Sequence, residues 1–130
     1  MPLAGPGMSS GWFGIGAIAA AIGVMLGAFG AHGLKSRVDS DLLVIFETGV
    51  RYHMYHAIGL LAVGWAASRW PGGLVTASGW LFLVGILVFS GSLYVMTLTG
   101  ARWLGAITPI GGAAFIAGWI ALALAALKAR

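Results

Sequence analysis

Residues 12 to 31 read WFGIGAIAAAIGVMLGAFGA, twenty residues without a charge. A bilayer core of roughly 30 Å needs about 20 apolar residues at about 1.5 Å rise each, so this stretch has the length of one crossing. Three further apolar runs follow, at about 52–68, 79–98 and 104–127. The rest of the chain cannot build a core of its own, so the sequence reads as a single membrane domain over residues 1–130. Composition agrees: of 130 residues, 60% are hydrophobic and 8% charged, whereas a soluble domain carries about 25% charged residues. Open β-structure is excluded from lipid by its unpaired peptide groups, and runs without period-2 alternation are not barrel strands. The expected fold is therefore all-α, an integral membrane four-helix bundle.

The first run could instead be a cleavable signal peptide, with Ala28 and Gly30 at the cleavage site. Its n-region lacks Lys and Arg and its apolar stretch is too long, so it is retained as a span. Zero cysteines exclude disulfides, thiolate nucleophiles and Cys-ligated metal. No basic cluster supports nucleic-acid binding, and the net charge of +4 suits contact with anionic lipid. Four spans put the first and third connections on one membrane face. Lys35, Arg37, Arg51 and Arg102 lie on that side, against Arg69, Lys128 and Arg130 on the other, a balance that leaves orientation open. Trp12, Trp70, Trp80, Trp103 and the pair Tyr52/Tyr55 fall near span ends, where aromatic anchors belong.

Helices in lipid associate through close backbone approach, which small residues at helical spacing permit. Gly16, Ala20, Gly23, Gly27 and Ala31 form one such stripe, and Gly111, Ala114, Gly118, Ala121 and Ala125 another. Packing within the chain is the first use expected of them. Two stripes in so small a chain also suggest a homo-oligomer or a place in a larger membrane complex.

All three acidic residues and all three histidines lie between the end of the first run and the opening turns of the second. Asp39 and Ser40 are N-cap residue types and Asp41 suits a first helical turn, so a helix is expected to start near Asp41. With no proline before Pro71 it runs on as an interfacial extension of the second span, bent at Gly49 if anywhere. Glu47 and Arg51 stand i, i+4 in the order favourable for an ion pair; the alternative is headgroup contact.

His53 and His56 form HxxH, which admits metal or haem ligation with further ligands from His32 or a nearby carboxylate, a proton relay, or a structural hydrogen bond. Without a companion motif the last is preferred, one ring facing the bundle. Ser90, Tyr94 and Thr97 share a stripe, read as interhelical hydroxyl bonds or as a hydrophilic lining. Pro109, after Thr108, marks a helix start or a shallow kink. The candidate polar site is thus His32, Glu47, Arg51, His53, His56, Tyr94, Arg102 and Thr108. No catalytic residue, metal or cofactor is expected.

The blocks GAFGAHGLK (27–35), FETGVRYHMYH (46–56), FSGSLY (89–94) and ITPIGG (107–112) occur in that order. They resemble the YgdD/YwdK family of small inner-membrane proteins of unknown function. The resemblance implies a multi-pass protein of the bacterial cytoplasmic membrane and supplies no activity. Its extra MPLAGPG makes Met8 an alternative start. The functional expectation is a noncatalytic accessory or assembly subunit or homo-oligomer that packs through its glycine faces. A small oligomeric transporter or channel using the polar face is the alternative.

Overall fold

The computed structural model describes residues 6–129, with side chains from residue 7; Arg130, counted above among the basic residues, lies outside them. Helix α1, Pro6–Phe29, continues through a π-helical turn, Gly30–Leu34. Helix α2 spans Ser40–Arg69. Helix α3, Gly73–Gly85, passes through a second π segment, Ile86–Ser90, into α4, Gly91–Thr99. A 3₁₀ turn, Arg102–Ala106, leads into α5, Thr108–Lys128. No strand occurs among the described residues.

The helices outrun the hydropathy boundaries because backbone chemistry, not polarity, ends them. Trp70, Pro71 and Gly72 close α2, and Gly72 takes φ +147°, a conformation that a Cβ would oppose. Gly100 adopts the left-handed conformation after α4 and donates its N–H to the Met96 carbonyl at 2.7 Å, a glycine C-cap. Asp39 occupies the N-cap position of α2 with extended backbone, yet its side chain makes no capping bond. Pro109 falls in the first turn of α5, so the helix-start reading holds there and not the kink.

Among the described residues three stretches are long and apolar enough to cross a membrane: Gly7–Leu34, Gly73–Thr99 and Arg102–Lys128. The expected second span is not among them. Tyr52, His53, Tyr55 and His56, with charges at Glu47, Arg51 and Arg69, make α2 too polar by composition. Its position explains how it carries the two histidines, whereas the tyrosines and the charges lie on its exposed side. α2 contributes much of the core through Ala57, Leu60, Val63, Ala66 and Ala67, all nearly inaccessible. The side of a helix that is packed against other helices can keep polar groups that a lipid-facing side cannot.

The glycine stripes are spent inside the chain. A Cβ on Gly16 would lie 2.9 Å from the Ala57 carbonyl oxygen and the Leu61 nitrogen, so α1 and α2 touch backbone to backbone there. Gly64 answers from α2, where a Cβ would lie 2.9 Å from the Phe13 nitrogen and Ser9 donates its hydroxyl to the Gly64 carbonyl at 2.6 Å. Gly23 faces Met54, and Gly27 lies more loosely against Val50. On α5, Gly111 abuts the Phe89 backbone and Gly118 the Phe82 ring, while Ser78 donates to the Gly118 carbonyl at 2.9 Å.

The aromatic anchors are corrected in part. Trp80 and Trp103 are exposed, but Trp12 is buried, edge to face with Trp80 and against Gly79. Tyr52 and Tyr55 sit midway along α2 and not at its end.

Candidate functional site

α2 is 30 residues long, and His53 and His56 occupy its middle. From Ser40 to His53 is about 20 Å along the axis at about 1.5 Å per residue, so the histidines lie deep in the bundle and not at its rim as expected. Both rings face inward, each 4% exposed. They lie inward together because α1 packs against one side of α2 and α3 and α5 against another, so a rotation of about 60° still finds protein.

His53 bridges three helices. Its Nε2 lies 2.8 Å from the Ala19 carbonyl of α1, and its Nδ1 lies 2.8 Å from the Tyr94 hydroxyl of α4. A carbonyl only accepts, so Nε2 carries the hydrogen of the neutral ring and Nδ1 accepts from Tyr94. His56 has the opposite tautomer. Its Nδ1–H donates to the Tyr52 carbonyl one turn back at 2.7 Å, and its Nε2 accepts from the Trp119 indole N–H at 3.0 Å. The ring also stacks on Phe115, centroids 3.5 Å apart and 5° from parallel. An apolar cleft of about 460 Å³ between α2 and α5 opens beside it, lined by Tyr52, Phe89, Phe115 and Trp119 among others.

The hydroxyl stripe serves the same helix. Ser90 donates to the Gly49 carbonyl at 2.7 Å, Tyr94 reaches His53, and Thr97 lies 3.2 Å from the Leu42 carbonyl. Ser90 and Tyr94 are interhelical struts, while Thr97 makes its shorter bond, 2.8 Å, to the Leu93 carbonyl one turn back; a donor inside lipid must find an acceptor within the protein. Every buried side-chain nitrogen or oxygen among the described residues has a partner.

The eight expected site residues do not gather. His53 and Tyr94 form one unit. Thr108 joins Ser92 at 2.6 Å in another. Arg102 pairs with Asp41 at 2.7 Å, tying the third connection to the start of α2 and placing the first and third connections at one end of the bundle. That hydrogen bond holds the Asp41 carboxyl below its ordinary value. His32, Glu47 and Arg51 are exposed. Among the described residues Glu47 and Arg51 form no ion pair with each other, contrary to expectation. His32, Glu47 and Arg51 face outward while His53, His56 and the hydroxyls face inward, so these groups line no common path within the chain.

Ala19, Asp41, Phe115 and Trp119 were missed as partners. Only Trp119 left a trace in the sequence: an indole N–H in the middle of an apolar run needs an acceptor there. No group of three or more His, Cys, Asp or Glu side chains capable of holding a metal occurs among the described residues.

Long apolar helices around a polar central one define a multi-pass helical membrane protein. The chain belongs to the DUF423 family, described as a protein of unknown function, which matches residues 26–112. It is 52% identical over 115 residues to the UPF0382 membrane protein YwdK of Bacillus subtilis, covering 88% of this chain and 94% of that one. It is also 48% identical over 114 residues to the UPF0382 membrane protein SERP0230 of Staphylococcus epidermidis, covering 88% and 93%. A third, SH2409 of Staphylococcus haemolyticus, is 45% identical over the same shares of 88% and 93%. No solved structure matches the chain.

Proposed function

We propose that this is a four-span, noncatalytic subunit of the bacterial cytoplasmic membrane that associates with copies of itself or with a larger membrane complex. The observation that carries the reading is the use made of its buried imidazoles. All four ring nitrogens of His53 and His56 are engaged by groups of the chain itself. A histidine that moves protons or binds substrate needs a nitrogen available to the reacting group; these two hold helices together.

α2 as the fourth span is supported by its length of 30 residues, about 45 Å, and by its central place among the apolar helices. Because the glycine stripes are occupied within the chain, association falls to other surfaces. Ala17, Ala21 and Ala28 are exposed on one face of α1 and offer a close approach for another helix.

Two measurements test the reading. The chain has no native cysteine, so an impermeant thiol reagent can be applied to single variants. His32→Cys and Ala101→Cys react from one side of the membrane and Gly73→Cys from the other; reaction of Gly73→Cys from the same side as His32→Cys removes the fourth span. Crosslinking and native mass spectrometry from nanodiscs recover a complex. Recovery of monomer alone removes the subunit role.

A further inference from the structure

The outer surface of the α1–α2 pair carries two adjoining clefts, of about 270 and about 210 Å³. They share Gly27, Gly30 and Glu47. One extends along α2 to Arg51, and the other reaches Lys35 after the π turn of α1. The clefts exist because Gly27 and Gly30 present no side chain beside Phe46 and Val50. One carboxylate therefore stands between two cations, all three exposed and none ion-paired among the described residues.

Depth gives this arrangement its meaning. Glu47 precedes His56, at the middle of α2, by nine residues, roughly 13 Å along the axis. Half of a hydrocarbon core is about 15 Å, so Glu47 lies just inside the headgroup boundary, and Arg51, one turn deeper, reaches that boundary by extending its long side chain outward. An unpaired charge there is costly, and the layer that meets it contains phosphates beside cations.

We propose that these clefts hold the headgroup of a glycerophospholipid bearing a primary ammonium, its phosphate against Arg51 and its ammonium against Glu47. The planar guanidinium offers a fork of donors to phosphate oxygens. A primary ammonium has three N–H donors for a carboxylate, while a trimethylated one has none. Glu47 and Arg51 are one helical turn apart, about 5–6 Å between Cβ atoms, a separation that suits charges joined by a two-carbon link. A purely anionic headgroup satisfies the cations but opposes Glu47. The assignment rests on α2 crossing the membrane at this depth.

The test uses the full chain reconstituted in nanodiscs containing equal phosphatidylethanolamine and phosphatidylcholine in a phosphatidylglycerol background, with retained lipids read by native mass spectrometry. A charge-assisted hydrogen bond lost with the N-methyl groups predicts at least about fivefold retention of phosphatidylethanolamine over phosphatidylcholine. Glu47→Gln brings the ratio near one, and Gly27→Leu, which fills the notch, lowers retention of both. Circular dichroism and a single native oligomer distribution show that each variant is folded. Equal retention by the unaltered chain, or a preference that survives Glu47→Gln, overturns the site. Its failure is separable from that of the spanning reading, because two-sided labelling of His32→Cys and Gly73→Cys stands whether or not the lipid preference appears.

Discussion

Trp119 of α5 donates its indole N–H to Nε2 of His56 across 3.0 Å, and this bond joins two helices that otherwise meet through aromatic rings. The acceptor is available only because the other nitrogen of His56 is committed to the Tyr52 carbonyl of its own helix. An intrahelical bond thus sets the tautomer that makes the interhelical bond.

Trp119→Phe keeps an aromatic ring and removes the donor. Interhelical hydrogen bonds in membrane proteins average about 0.6 kcal/mol and reach about 1.7 kcal/mol, and the variant is expected to lose stability in that range. Steric-trapping or mixed-micelle unfolding measures it. A variant as stable as the parent shows that the bond contributes nothing.

The two histidines are expected to display opposite neutral tautomers in nitrogen-15 spectra, Nε2–H for His53 and Nδ1–H for His56. The reason is that each has one partner carbonyl that can only accept. Tyr94→Phe removes the donor to His53 Nδ1 and shifts that nitrogen's resonance, leaving His56 unchanged. Identical tautomers at both positions contradict the assigned hydrogen-bond directions.

Gly16→Ala places a methyl group 2.9 Å from the Ala57 carbonyl oxygen, a backbone atom with little room to yield. Overpacking of this kind costs about 1–3 kcal/mol. Gly14→Ala meets nothing within 4 Å and, in a helix, is expected to be neutral or to stabilise by up to about 1 kcal/mol. Comparing the two in one unfolding assay separates packing from propensity.

Asp41 is an acid with its folded value depressed by the Arg102 hydrogen bond. The ion pair therefore contributes above the unfolded carboxyl value and is lost as pH falls through the lower folded one. Carbon-13 titration of the Asp41 carboxyl is expected to show a midpoint below that of an ordinary aspartate. Arg102→Gln should return it upward. A midpoint unmoved by Arg102→Gln would show that the pair does not persist in solution.

Much of the architecture was legible in the chain. The uncharged run over 12–31, the start of α2 beside Asp39 and the first-turn place of Pro109 all follow from local chemistry, and each is observed. The hydroxyl stripe of Ser90, Tyr94 and Thr97 was visible as a period, and its partners were not. Neither π segment left a readable signal, because π turns are rare single-turn interruptions of an α-helix that share its apolar pattern. The Glu47 and Arg51 spacing suggested a pair that rotamers and the surrounding surface do not form.

By itself, the order of residues determined that the solvent is hydrocarbon, that the backbone must satisfy itself in helices, and that the first and third connections belong at one end. Those properties are local or additive along the chain. Only the tertiary structure decided that His53 and His56 lie deep in the bundle, that Ala19 and Trp119 are their partners, and that the glycine faces are consumed within one chain. Depth and partnership depend on how far one helix slides along another. That register is set by interlocking contacts such as Gly16 against Ala57, and these join residues far apart in sequence.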